Sequence, residues 1–181
     1  MIVTVTPNTG IDQTLIVPEF ELNKTIRACQ SAMGMGGKAT DASWILGKMG
    51  IPNLALGFAA GANGRLMVRM LEERGSDTDF VWVNGETRLN TIIVCQDGLG
   101  QSTFTTSTLE VSPQHILEFN EKYLKSLSLA TCLIIGGSLP YGVPPSFYKE
   151  LLKLRTTGAS RLYSMPAVLA CWPVWRPGQI S

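Results

Sequence analysis

The sequence predicts a three-layer α/β domain with a mainly parallel sheet. Short runs rich in β-branched or aromatic residues alternate with segments whose apolar residues recur at helical spacing. Such alternation is typical of a parallel sheet covered by helices on both faces. A length of 181 residues and a hydrophobic fraction of 45% are sufficient for one domain with a buried core.

The predicted strands are short runs bounded by glycine, proline or asparagine. They lie at 2–6, 53–58, 80–84, 91–95, 103–106 and 131–135. The first predicted helix covers 40–49, where apolar residues recur every three or four positions. The second covers 64–74, with Asn63 as its predicted N-cap and Gly75 just past its end.

Two further helices are predicted in the second half of the chain. One begins at Ser112, a capping residue that is followed by proline at the first helical position. The other follows Pro144-Pro145. Residues 13–33 and 90–108 are strand-like without a helix between their parts, and they predict a small antiparallel β flap that projects from the main sheet.

The last residues, 155–181, differ in composition from the predicted domain at 1–154. They contain no Asp or Glu, three of the ten prolines and two of the four tryptophans. Either a disordered divergent tail or a change of reading frame near Leu154 explains this shift. We favour the frame change, because Trp and Cys are unusual in disordered tails.

Composition and charge exclude several classes of partner. A net charge of +1 gives no reason to expect nucleic acid or an anionic membrane surface. No run approaches the roughly 18 apolar residues that span a bilayer, and the N-terminus does not resemble a signal peptide. The four cysteines form no C-x-x-C pair, so reduced thiols in a cytoplasm are expected rather than disulfides or a metal site.

Polar residues follow two of the predicted strands. Asp12 comes shortly after the first strand, in T-P-N-T-G-I-D, and Ser138 follows the strand at 131–135, in G-G-S-L-P. Ligands of open α/β sheets bind at the carboxyl ends of the strands. An ionised aspartate there accepts hydrogen bonds from sugar hydroxyls, and serine both donates and accepts them. The alternative is that both residues only close turns.

A glycine-rich segment, M-G-M-G-G-K-A, leads into the first predicted helix. Glycines allow close approach of an oxyanion, and a helix N-terminus with Lys38 beside it favours negative charge. A P-loop would require Ser or Thr at position 39, where Ala39 stands. The dinucleotide pattern lacks its acidic residue about 20 positions on. An anion site and a plain strand-to-helix turn both remain open.

The segment E-T-R-L-N contains a third candidate. Arg88 offers a planar fork for phosphate, and Asn90 lies on the same side of an extended chain. A solvated hairpin charge is the alternative. His115, the single histidine, occupies the first turn of a predicted helix and accompanies no nucleophile motif.

Taken in order and spacing, these motifs resemble the ribokinase-like (PfkB) carbohydrate kinases, in the branch that includes tagatose-6-phosphate kinase and 1-phosphofructokinase. The resemblance covers 1–154, about the first half of the family's usual length. It implies a ribokinase-like domain truncated on its C-terminal side. The implied reaction is transfer of the ATP γ-phosphoryl group to a hydroxyl of a ketose phosphate, with ATP and Mg²⁺ as cofactors.

The resemblance also implies a set of substrate-binding residues. Asp12 would bind sugar hydroxyls, and Gly37 with Lys38 would line the sugar-phosphate pocket. The candidates for the substrate's existing phosphate are Arg88, Asn90, the nearby Ser138 and, more weakly, Arg27 on the flap. The flap would close over the sugar, and it often pairs with a second subunit in this family, which makes a homodimer possible. No metal ligand is predicted.

The chain departs from the family pattern in ways that bear on function. The pattern continues G-G-K-G-x-N, whereas this chain has Ala39 and Asp41. An ionised acid at 41 cannot donate a hydrogen bond and would repel a phosphate. The G-A-G-D motif, which supplies the family's catalytic base, does not occur in the sequence, and the segments for the adenine pocket and magnesium are missing with it.

The resemblance predicts that the chain belongs to a sugar-phosphate kinase lineage. The departures predict that the chain is inactive in this form. The alternatives are a non-catalytic sugar-phosphate binder, a product without function and, less favoured, a kinase for unphosphorylated sugars or nucleosides. The sequence leaves the identity of the sugar and the oligomeric state open.

Overall fold

The structure is a computed structural model, and it describes residues 1–98, 100–106 and 109–158, with side chains as far as Leu154. Strands and helices alternate as predicted. In chain order they are β1 (Ile2–Asn8), β2 (Gly10–Val17), β3 (Gln30–Gly36), α1 (Lys38–Lys48), β4 (Asn53–Ala59), α2 (Gly61–Glu72), β5 (Asp77–Thr78), β6 (Val81–Trp82), β7 (Asn84–Gly85), β8 (Arg88–Cys95), β9 (Gln101–Phe104), β10 (Leu109–Glu110), α3 (Pro113–Leu127), β11 (Cys132–Ile135) and α4 (Phe147–Gly158).

The main sheet has the order β11-β1-β4-β5, and β6 also pairs with β4. Every pairing in it is parallel. β1 lies between β11 and β4, and it is buried on both faces, with Val3 and Val5 on one face and Thr4 and Thr6 on the other. The central strands of a parallel sheet with helices on both faces are buried on both sides.

Helices cover both faces of this sheet. On one face, Phe58 of β4 packs against Phe119 of α3 and Phe147 of α4, with ring centroids 5.3 and 6.3 Å away. On the other face, Ala55 and Ala59 of β4 pack against α2. Because successive strand residues point to opposite faces, one strand supplies both cores. The three-layer α/β prediction is confirmed.

A second sheet corresponds to the predicted flap. The flap sheet has the order β3-β2-β8-β9. Its outer pairs are antiparallel, while the central pair, β2 with β8, is parallel. Its strands reach farther towards the main sheet than predicted, since β2 begins at Gly10 and β8 at Arg88. Only Thr9 separates β1 from β2, so the flap sheet starts directly at the carboxyl end of a main-sheet strand.

The helix boundaries differ from the predictions in an informative way. Asn63 was the predicted N-cap of the second helix, but α2 begins at Gly61 and no side chain of its own N-cap residue, Ala60, caps it. The prediction was wrong because a side chain distant in sequence caps the helix: the Glu86 carboxylate accepts the Asn63 N–H at 2.6 Å. The predicted cap of α3 is confirmed, since Ser112 Oγ accepts the His115 N–H.

Helix α4 runs through Gly158, four residues past the predicted boundary at 154. Residues 159–181 lie outside the described residues, so the interpretation of 155–181 as a divergent or frame-shifted tail stays a prediction. Within the described part of the chain, no helix is both long enough and apolar enough to cross a membrane.

Candidate functional site

Most of the predicted site residues lie around the carboxyl end of β1. Here β1 leads into β2, and the loop after β11 comes alongside. The Asn8 side-chain amide donates to Ser138 Oγ at 3.0 Å, which joins the two strand ends. Asn8 is 3% exposed, and its Oδ1 has no partner among the described residues. Polar side chains are thus gathered where ligands of open α/β sheets bind.

Asp12 and Asn90 lie next to each other on the flap sheet. The parallel pairing of β2 with β8 sets Asp12 directly opposite Asn90. The Asn90 amide donates to Asp12 Oδ1 at 2.6 Å, and Thr105 Oγ donates to Asn90 Oδ1 at 2.6 Å. The network fixes the orientation of the Asp12 carboxylate and leaves its second oxygen to accept from another group.

Arg88 closes the network on its other side. Its Nη1 donates to Thr105 Oγ at 3.3 Å, and its Nη2 donates to the Asn8 carbonyl at 3.4 Å. Both contacts are long for N–H···O bonds. Its Nε is buried without a partner in the described structure. Burial lowers the pKa of Arg88, while the neighbouring Asp12 charge raises it.

Gly10 makes room for Arg88. It pairs with Arg88 across the flap sheet, and a Cβ at Gly10 would lie 2.9 Å from Arg88 Cγ. A larger residue would push the guanidinium away from its present position.

The start of α1 borders the same region. Gly37 joins β3 to α1 with φ = 101°, a conformation that glycine adopts readily. The Thr40 N–H donates to Thr6 Oγ at 2.8 Å, which holds the helix start against β1. Lys38 lies beside the loop after β11, because a Cβ at Gly136 would be 3.6 Å from the Lys38 Cβ. The first amides of a helix have no intrahelical partner and attract anions.

Asp41 adds a second carboxyl group to the site. It lies in the first turn of α1 and is half-buried. Burial raises the pKa of Asp41, and the charge of Asp12 raises it further, to about 7. Burial and a nearby negative charge both disfavour the ionised form of a carboxyl group.

Arg27 is not brought together with the other predicted residues. It lies in the connection between β2 and β3, where it lines a separate cavity of about 260 Å³ with residues such as Glu21 and Lys24. None of the hydrogen bonds that unite Asp12, Arg88 and Asn90 includes Arg27.

Sequence reasoning missed several residues of this region. Thr105 joins Arg88 to Asn90, but only the pairing of β8 with β9 brings it there, and no local pattern marks that register. Asn8 lies within the segment T-P-N-T-G-I-D, but the sequence analysis predicted no function for it. Glu86 also received none, although it caps α2 and so fixes the segment that leads into Arg88.

A parallel α/β domain with a flap sheet at the carboxyl ends of its strands defines the ribokinase-like class of folds. A family model described as "pfkB family carbohydrate kinase" matches residues 4–172, and the chain belongs to that family. The match extends past the predicted domain boundary at 154.

Curated relatives include enzymes named for sugar phosphates. The chain is 28% identical over 151 residues to 1-phosphofructokinase of Borreliella burgdorferi, covering 83% of the chain and 48% of the relative. It is 29% identical over 158 residues to tagatose-6-phosphate kinase of Staphylococcus epidermidis, covering 85% and 49%. The chain therefore spans about half the length of these relatives, and its lineage is that of the sugar-phosphate kinases.

Solved structures of related proteins have the same fold over about half of their length. A possible 1-phosphofructokinase from Thermotoga maritima superposes with a TM-score of 0.81 at 30% identity, covering 87% of this chain and 51% of that one. The tetrameric inhibited form of phosphofructokinase-2 from Escherichia coli has a TM-score of 0.76 at 23% identity, with coverage of 87% and 51%. The second comparison supports the fold alone.

Proposed function

We propose that this chain binds a phosphorylated ketose at the carboxyl end of β1, as the substrate-binding part of a sugar-phosphate kinase. The observation that carries the proposal is Arg88. Its Nε is buried without a partner in the described structure, and its two other contacts are long. A buried donor left unpaired is costly, and a phosphate oxygen satisfies it with a charge-assisted bond.

The remaining residues divide between the sugar and the phosphate. Asp12, oriented by Asn90, accepts from a sugar hydroxyl. Asn90 and Ser138 lie near the phosphate, while Gly37 and Lys38 line the pocket at the start of α1. Arg27 is the outlying member of the set. It reaches this site only if the connection between β2 and β3 moves or a second subunit supplies it.

The family implies ATP and Mg²⁺. Among the described residues, no group of three or more His, Cys, Asp or Glu side chains is arranged to hold a metal ion. The roles proposed above concern the sugar phosphate alone.

We propose further that 1–154 is the N-terminal part of a kinase domain and that this chain has no kinase activity by itself. The sequence lacks the G-A-G-D motif that would carry the base. A non-catalytic sugar-phosphate-binding protein is the alternative, and it requires ligand binding without turnover.

A homodimer formed through the flap is also part of the proposal. Met33 of β3 and Phe104 of β9 are 41% and 55% exposed on the flap sheet. Both residues lie on edge strands of the flap sheet, and an edge strand offers backbone hydrogen-bonding groups to a second chain. Sedimentation velocity tests the proposal directly, and a monomer at micromolar concentration contradicts it.

Calorimetric titration of the 181-residue chain tests the binding proposal. D-Tagatose 6-phosphate and D-fructose 1-phosphate are the probes, with D-fructose and inorganic phosphate for comparison. Arg88→Lys keeps the charge and loses the fork, so affinity should fall by about tenfold or more, equivalent to the 1.5–3 kcal/mol of a bond to a charged group. Arg65→Lys, on the exposed surface of α2, is the matched control. Equal affinity of wild type and Arg88→Lys contradicts the assignment.

A further inference from the structure

Tyr148 connects helix α4 to the loop that carries Ser138. It is the second residue of α4, and its hydroxyl donates to the Gly137 carbonyl at 2.8 Å. Gly137 has φ = 114°, and the next residue, Ser138, accepts the Asn8 amide on its Oγ at 3.0 Å. The Tyr148 hydroxyl therefore bonds to the peptide immediately before a residue that the proposed function places near the phosphate.

The backbone leaves this part of the loop without bonds of its own. Backbone bonds anchor the loop at two places, Gly136 to β1 and Tyr141 to the segment before α3. Between them, neither Gly137 nor Ser138 takes part in a backbone–backbone hydrogen bond within the described residues. Because the peptide unit is planar, a donor that holds the Gly137 carbonyl also restricts the position of the Ser138 Cα.

The hydrophobic core sets the position of Tyr148. Its neighbour in α4, Phe147, is buried and packs against Phe58 and Phe119, with ring centroids 6.3 and 5.3 Å away. Tyr148 is half-buried and packs against the same cluster. Burial raises the pKa of Tyr148 to about 12, so its hydroxyl stays protonated and donates at every pH near neutrality. The loop is thus bonded to a donor that is itself held in place.

Ser138 is the group that benefits from this support. It is exposed, and because its Oγ accepts from Asn8, its own hydroxyl proton is available to donate to a ligand. A loop residue that must be ordered on binding lowers the affinity, since the ordering costs free energy. Asn8 holds the serine side chain from β1, and Tyr148 holds the preceding peptide from α4.

We propose that Tyr148 is a positioning residue of the site: by holding the Gly137 carbonyl, it keeps the Ser138 hydroxyl where it donates to the phosphate of the ketose phosphate. The inference rests on the proposed function and deepens it. Tyr148 acts through Ser138 and not by contact with the ligand. Without the Tyr148 hydroxyl, the loop adopts other orientations, and binding must order Ser138 first.

Calorimetric titration of the full 181-residue chain with D-tagatose 6-phosphate tests the inference. Tyr148→Phe keeps the ring and removes only the donor, so affinity should fall by about two- to tenfold, the range of one neutral hydrogen bond. Tyr123→Phe is the matched control, because the Tyr123 hydroxyl also donates to a backbone carbonyl, that of Leu151, at 3.1 Å within the core. Tyr123→Phe should lose stability in urea and keep wild-type affinity.

A double-mutant cycle with Ser138→Ala shows whether Tyr148 acts through Ser138. Once the serine hydroxyl is removed, Tyr148→Phe has no donor left to misplace, so the double variant should bind as Ser138→Ala does. A purely structural role of Tyr148 would lower the affinity by the same factor in both backgrounds. Urea denaturation of every variant establishes that the proteins compared are folded.

The outcomes separate the inference from the function on which it rests. Three results would each overturn the positioning role and leave the proposed function intact: wild-type affinity in Tyr148→Phe, an equal loss in Tyr123→Phe, or additive losses in the cycle. If folded wild type binds no ketose phosphate, the function and the inference fail together.

Discussion

Gly37 separates β3 from α1 in a backbone conformation that other residues rarely adopt. Its φ is 101°, and a Cβ there would lie 2.8 Å from Thr6 Cγ2 and 2.9 Å from Thr40 Oγ. Thr6 also accepts the Thr40 N–H that anchors the start of α1. A single glycine therefore sets the position of the helix start that borders the site.

Gly37→Ala should destabilise the chain by both strain and crowding. We expect a loss of about 2–4 kcal/mol, of which about 1–3 comes from the strained positive-φ backbone and the rest from overpacking. Gly50→Ala is the matched control, because Gly50 also has positive φ (69°) but nothing lies within 4 Å of its Cβ position. Urea denaturation gives both values. Equal losses in the two variants would show that crowding at Gly37 has no effect.

Individual site residues are predictable from the sequence where a local pattern, such as a polar residue after a strand, identifies them. Asp12 and Ser138 are predicted because they follow strands, and Arg88 and Asn90 because a planar fork and an amide on one side of an extended chain suit phosphate; the structure brings the four together. Thr105 was not predictable, since its place depends on strand pairing across the flap sheet. The separate position of Arg27 depends on the path of the long connection between β2 and β3, which no periodic pattern determines.

At the scale of elements, α2 depends on a segment that follows it in the chain. Glu86 accepts the Asn63 N–H, Thr87 Oγ accepts the Ala60 N–H at 2.9 Å, and the Thr87 N–H returns a bond to the Ala60 carbonyl. A Cβ at Gly61 would collide with the Glu86 carboxylate. The helix start and the strand that carries Arg88 are therefore held together as one unit.

Glu86→Gln should weaken this unit. Loss of the negative charge at a helix N-terminus and of a charge-assisted bond should lower the free energy of unfolding by about 1 kcal/mol. Glu121→Gln, at an exposed position within α3, should change it by less than about 0.5 kcal/mol. Denaturation midpoints of the two variants and wild type provide the measurement. A loss in Glu121→Gln as large as that in Glu86→Gln would contradict the capping role.

Element types were predictable because their periodicity is strong, whereas some boundaries depend on tertiary contacts. The pattern of apolar residues at 40–49 and the Ser112 cap identified α1 and α3, and both exist. The start of α2 was misplaced because its cap comes from Glu86, more than 20 residues away. The parallel pairing at the centre of the flap sheet was equally beyond local patterns, since a strand alone does not specify its neighbour.

At the scale of the molecule, the described fold brings together one of the two sets of groups that phosphoryl transfer needs. The polar cluster at the end of β1 contains acceptors and a guanidinium donor without a partner in the described structure, and the proposed function assigns these groups to a phosphorylated sugar. Phosphoryl transfer needs a second set of groups, which positions the nucleotide and receives the proton of the attacking hydroxyl. The family's motif for the second set does not occur in the sequence.

The 181-residue chain should therefore show no measurable ATP-dependent phosphorylation of a ketose phosphate. Loss of a positioned base reduces the rate by about 10²–10⁴, and loss of oxyanion donors by about another 10²–10³. A coupled assay of ADP formation with D-tagatose 6-phosphate, ATP and Mg²⁺ measures the rate. The Lys38→Ala, Arg88→Ala double variant sets the background, because it removes the proposed anion contacts. Sustained turnover by wild type well above that variant would establish that this chain carries catalytic groups of its own.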